Sequence, residues 1–175
     1  MKKKFLYIIF IPILIFANGI EEKTESIIKS EFGENIELEY SKFQIEEKVK
    51  SEIESQSKQR FFSESIFVWS ITANDTLIAL GLMDNVYGKA QPITFLTIFT
   101  LDGKIHSNHI IKYREEHGGQ VINKDWNKQF IGMDNNSIIN QKVDGISGAT
   151  ISVEALKKGV KKLTLLFENI QKTND

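Results

Sequence analysis

The alternation of apolar and polar positions divides the chain into readable elements. From Ile20 to Phe32 the sequence is charged, with Ile27, Ile28 and Phe32 on one side, which predicts a short amphipathic helix. Gly33 stands in the position that usually ends such a helix. Ile36 to Tyr40 alternates with period two and predicts a half-buried strand. Ser41 to Gln59 is polar, with Ile45, Val49 and Ile53 four apart, and predicts a second surface helix. The texture changes at Ile66. Ile66 to Ile71 reads as a strand, Asn74-Asp75 as a turn, and Leu77 to Met83 as the returning strand. Pro92 to Phe99 and Ile105 to Tyr113 form a further pair around Asp102-Gly103, a strong hairpin signal. Trp126 and Phe130 mark a short helix in a polar stretch. Ile151 to Gln171 is a helix with Leu156, Val160, Leu163, Phe167 and Ile170 on one stripe, and Lys157, Lys158, Lys161 and Lys162 are read as its solvated face. The class is α+β, an antiparallel sheet of four to six strands flanked by helices.

The extreme N-terminus follows a different rule. Lys2, Lys3 and Lys4 precede an unbroken apolar run from Phe5 to Phe16, and Ala17-Asn18-Gly19 offers small residues for cleavage. This predicts a signal peptide over residues 1–19, because a bilayer span needs about 20 apolar residues. The alternative is that the run is retained as an anchor. Export to the periplasm or the outer face of the cytoplasmic membrane is expected. The remainder divides into an acidic, helical part over residues 20–62 and the main domain over residues 63–172.

Composition narrows the chemistry. Across 175 residues there are 22 Lys+Arg, 23 Asp+Glu and no cysteine. A net charge of −1 argues against nucleic acid as partner, since no basic excess exists to release counterions. Without cysteine there is no lipoprotein anchor, thiol nucleophile or iron–sulfur centre. No phosphate-loop, dinucleotide-fold or nucleophile-elbow motif is present. His106 and His109 are three apart on a predicted strand and should point to opposite faces, so no metal is assigned.

The informative stretch is Asp144-Gly145-Ile146-Ser147-Gly148-Ala149-Thr150, directly before the last helix. Small residues let another molecule approach the backbone, and the free N–H groups of a helix start suit a phosphate. By itself the string also reads as an ordinary helix cap. The string resembles the flavinylation motif of the FMN-binding domain family. That family includes the periplasmic domains of the C subunit of the sodium-translocating NADH:quinone reductase and the G subunit of the Rnf complex. Val86 to Phe95 resembles the family's glycine–lysine turn into a strand, Leu101 to Ile105 its hairpin, and Tyr113 to Gly119 its arginine–glutamate and glycine segment. In the pump subunits Thr-Pro-Gly-Leu-Gly usually follows Arg-Glu, whereas Glu116-His117-Gly118-Gly119-Gln120 stands here. The sequence therefore looks like a stand-alone member.

The resemblance implies FMN joined through its phosphate to Thr150 by a separate flavin transferase that uses FAD as donor. It also implies a cofactor site of Asp144, Ser147, Gly148, Ala149, Gly118, Gly119, Arg114 and Glu115, with the backbone near Pro92 and Ile93 facing the ring. No residue of this chain is assigned a catalytic role. The expected activity is extracytoplasmic electron transfer with a membrane partner, as a carrier rather than a self-sufficient enzyme. The alternatives are noncovalent FMN, or a binding or adhesion domain of the same fold without flavin.

Overall fold

The computed structural model describes residues 19–140 and 142–174. The leader expected at residues 1–19 lies outside it except for Gly19. Helix α1 (Gly19–Phe32) is followed by β1 (Glu37–Gln44), α2 (Glu47–Ser57), β2 (Ser65–Ala73), β3 (Thr76–Tyr87), β4 (Pro92–Thr100) and β5 (Ile105–Lys112). Short helices α3 (Lys124–Asn127) and α4 (Asn135–Asn140) precede the long α5 (Thr150–Asn174). The five strands form one antiparallel meander in the order β1-β2-β3-β4-β5.

Alternation along the strands gives each face its own core. Val68, Leu80, Leu82, Val86, Phe95 and Phe99 face α5 and its neighbours. Trp69, Ile71, Ala79, Met83, Leu96 and Ile98 face the other way, where Ile28 of α1 is wholly buried. The α5 stripe predicted from the sequence is buried throughout, and Phe167 stacks on Phe99 at 4.6 Å. Gly159 lets α5 approach the sheet, because a Cβ there would sit 2.5 Å from Val86 Cγ1 and 2.9 Å from Phe95 Cζ. Asn74 and Asp75 both adopt positive φ (49° and 59°), the twist that a two-residue hairpin turn requires.

Four elements differ from the sequence reading. Ser41 to Gln44 extend β1, pairing with Val68 to Ser65, and the second helix begins only at Glu47. An edge strand tolerates exposed polar side chains as readily as a surface helix does, so the pattern was ambiguous. Strand β3 runs past Met83 through Asp84 and Asn85, because Lys162 partners Asp84 and Thr94 Oγ1 donates to Asn85 Oδ1 at 2.7 Å. Helix α4 was not foreseen. Lys162, placed on the solvated face of its helix, is wholly buried; its Nζ lies 2.7 Å from Asp84 Oδ2, donates to the Arg60 carbonyl at 2.8 Å and sits 4.5 Å over the Phe61 ring. It ties α5 to β3 and to the segment after α2.

The histidines depart as well. Ile98 pairs with Ser107 and Phe99 with Ile105, so His106 is the extra residue of a bulge in β5. The bulge overrides the strand's alternation and brings both imidazoles to one carboxylate. His109 Nε2 lies 2.8 Å and His106 Nε2 3.6 Å from Glu31 of α1, and Ser107 Oγ donates to Glu31 at 2.6 Å. Among the described residues, no group of three His, Asp or Glu side chains is arranged to hold a metal ion.

Candidate functional site

The last helix runs along the sheet so that its far end meets the β4–β5 turn, where Gln171 Nε2 donates to the Leu101 carbonyl. Its first turn therefore lies at the opposite end, with the end of β3, the start of β4 and the residues after β5. All the motif segments named from the sequence, apart from the hairpin, collect there.

The segment after β5 splits between the two faces. Tyr113 packs toward α5, where its hydroxyl donates to the His117 carbonyl and lies 3.0 Å from Ser152 Oγ. Arg114 points the other way, with Nη1 donating to the Pro92 carbonyl at 2.8 Å and to Thr94 Oγ1 at 3.0 Å. Glu115 Oε1 accepts from the backbone N–H groups of Ala90 and Gln91 at 2.7 and 3.0 Å. Those N–H groups, Gln91 first, hold its carboxyl below the usual carboxylate range. Gly88 is needed under this clamp, since a Cβ there would lie 2.4 Å from Glu115 Oε1. Arg114 and Glu115 thus pin the turn before β4 rather than pairing with each other.

Gly118 is the close approach. It is buried at φ +80°, and a Cβ would meet Tyr113 Oη at 2.8 Å, Ser152 Oγ at 3.0 Å and Ala149 Cα at 3.5 Å. The glycine segment is therefore packed directly against the start of α5, and Gly119 opens the 3-10 turn that follows it. Asn108 Nδ2 donates to Asn127 Oδ1, and Asn127 Nδ2 donates to the Val121 carbonyl, so a buried amide chain fixes this segment on β5.

The loop before α5 is held by its ends. Trp126 Nε1 donates to the Asp144 carbonyl at 2.9 Å, and the Asp144 N–H donates to Gln129 Oε1. The Ala149 N–H donates to the Ile146 carbonyl, and Ala149 is buried. Between these anchors Asp144, Gly145, Ser147, Gly148 and Thr150 are exposed. Gly148 adopts φ +80°, and a Cβ at Gly145 or Gly148 would meet nothing within 4 Å, so the space before the loop is open. Val153 N–H to the Ala149 carbonyl is the first bond of the helical ladder. The N–H groups of the preceding turn are therefore free of the helix's own carbonyls. A helix start of this length carries about half a positive charge.

The two hydroxyls of this first turn are not equivalent. Ser152 is buried against Tyr113, whereas Thr150 is exposed at the end of the helix. Ile93 is wholly buried in the α5-side core and offers the site only its backbone. Sequence reasoning gave Tyr113 and Thr94 no role in the site; their contacts with Ser152 and Arg114 lie 39 and 20 positions away, where no local pattern marks them. A phosphate ester fits this set of groups: an exposed hydroxyl, free helix N–H groups, an open approach and a glycine neighbour. No curated protein matches the chain. The sequence model of the FMN-binding domain family matches residues 88–164, from the turn clamped by Glu115 to the middle of α5, and the chain thereby carries an FMN-binding domain with FMN as its cofactor.

Proposed function

We propose that this protein is an exported electron-transfer flavoprotein in which FMN is esterified to Thr150. The observation that carries the reading is the contrast at the start of α5: Thr150 is open, while Ser152 is buried against Tyr113. In the transfer step the Thr150 hydroxyl oxygen attacks the phosphorus of the FMN half of FAD. A phosphorus–oxygen bond to Thr150 forms, the phosphoanhydride bond breaks, and AMP leaves. The hydroxyl proton passes to a base of the flavin transferase, and no electrons change hands. In this reading the helix N–H groups hold the phosphate, Gly118 and Gly119 keep the approach clear, and Glu115 fixes the turn before β4. Bound FMN supplies the redox chemistry, and the protein sets its orientation and potential. A covalent bond suits a compartment from which a dissociated flavin would be lost. The partner is a membrane electron-transfer component.

Co-expression with a flavin transferase, followed by intact-mass measurement, tests this. The expected result is a mass gain of one FMN less one water, absent in Thr150→Ala and retained in Ser152→Ala. A wild-type chain that stays unmodified in the presence of an active transferase refutes covalent attachment. Flavin that copurifies but is released by denaturation supports the noncovalent alternative instead.

A further inference from the structure

On the α1 face, away from Thr150, the sheet carries a cavity of about 290 Å³. Tyr40, Phe67 and Trp69 supply aromatic walls, with Tyr40 stacked 5.3 Å from Phe67 and tilted 4.8 Å from Trp69. Several of its polar groups are donors with no acceptor among the described residues. Trp69 is wholly buried, yet its Nε1 has no hydrogen-bond partner among the described residues. Arg114 spends only Nη1 on Pro92 and Thr94; Nη2 and Nε make no hydrogen bond among the described residues, and no carboxylate lies in salt-bridge range. Burial, helped by Glu21, pushes the Tyr40 phenol up to about 12, so it stays protonated as a donor. Lys42 adds a second positive charge over the Phe67 ring at 5.4 Å. Against these stand Glu21 and Asp84, and the Asp84 carboxylate is occupied by Lys162 behind the sheet.

A buried indole N–H and a half-buried guanidinium left without acceptors are costly unless something accepts from them. The aromatic walls ask for a flat apolar body, and the volume lies at the lower edge of ligand pockets. We propose that this cavity is a second ligand site, taking a small planar aromatic carboxylate whose carboxylate is held by Arg114 and whose ring stacks among Tyr40, Phe67 and Trp69. The site stands independently of Thr150.

The test is calorimetric titration of the full chain with benzoate, and with benzyl alcohol as a neutral probe of the same shape. Wild type should bind benzoate saturably at one site and benzyl alcohol more weakly. Arg114→Gln should weaken benzoate about ten- to hundredfold, the scale of a charge-assisted hydrogen bond, with little change for the alcohol. Trp69→Phe keeps the wall but loses the donor, and should weaken benzoate less. Because Arg114 also holds the start of β4, the exposed Lys42→Gln provides an independent check, with an expected loss of about two- to fivefold at low salt. Thr150→Ala should bind like wild type, and so should protein carrying flavin at Thr150. Absence of saturable benzoate binding, or a folded Arg114→Gln that binds as wild type does, overturns the proposal. Loss of benzoate binding on flavin loading also overturns it, assigning the cavity to the flavin ring.

Discussion

Replacing Lys162 with Met tests whether a buried charge pair, rather than apolar packing alone, holds α5 on the sheet. The Nζ–Oδ2 distance is 2.7 Å, with side-chain exposures of 0% for Lys162 and 6% for Asp84. Burial raises the Asp84 carboxyl and lowers the Lys162 ammonium, and each charge offsets the other's shift. Met keeps most of the volume but strands Asp84, whose remaining hydrogen bond is from the Asn85 N–H to Oδ1. The stranded carboxyl escapes its desolvation by taking up a proton. At pH 7, starting from an unfolded value of 3.8, that costs about 4 kcal/mol at 1.36 kcal/mol per unit. Losing the hydrogen bond to Arg60 adds about 1 kcal/mol. Urea denaturation should therefore show a midpoint about 2.5 M lower at an unchanged slope of about 2 kcal/mol/M. The sign with pH is diagnostic. In the variant the folded-state Asp84 has a raised pKa, so its penalty is present above the unfolded pKa and disappears as pH falls toward 3.8. The penalty should shrink by about 1.4 kcal/mol per pH unit below neutrality. Removing both charges, Asp84→Leu with Lys162→Met, should recover stability to within about 2 kcal/mol of wild type, because an apolar pair of similar volume replaces a buried ion pair at little cost. A single variant that loses under about 1 kcal/mol at pH 7, or a penalty independent of pH, would refute the reasoning. So would a double variant as unstable as the single.

Two further outcomes follow from the packing. Burial raises the Glu31 carboxyl, but hydrogen bonds from His109 and Ser107 outweigh it and leave the folded value below 4.5. Its contribution is therefore present above the unfolded pKa and lost as pH falls through the folded one; Glu31→Gln should cost about 1–2 kcal/mol at pH 7 by chemical denaturation, converging with wild type in acid. A cost unchanged at low pH would remove the carboxylate from the explanation. Gly159→Ala ought to stabilise an isolated helix by about 1 kcal/mol, yet here the added Cβ lies 2.5 Å from Val86 and should lower stability by about 1–3 kcal/mol in thermal or urea unfolding. A variant more stable than wild type would show that α5 can move away from β3.

The strands, the final helix and the small-residue loop before it were legible because each is written locally. Period-two runs mark β2, β4 and most of β3; the Leu156 to Ile170 stripe marks α5; small residues before a helix mark the loop around Thr150. The errors fall where a partner far along the chain decides. Asp84-Asn85 resembles a strand end until Lys162 and Thr94 satisfy it. Lys162 looks solvated because three lysines share its neighbourhood, and only the sheet beneath shows which one is buried. His106 and His109 look opposed until a bulge turns one of them.

By itself, the sequence determined the class of fold and the order of the main elements, and it marked Thr150 as a candidate through a family resemblance. Tertiary structure decided which polar groups are partnered and which are left waiting. It sent Tyr113 and Arg114 to opposite faces, so that one supports the start of α5 and the other faces a cavity that local pattern does not reveal. The physical reason is range. Periodicity and turn chemistry act over a few residues, whereas the desolvation of a buried charge or an indole N–H is set by whatever the fold places against it.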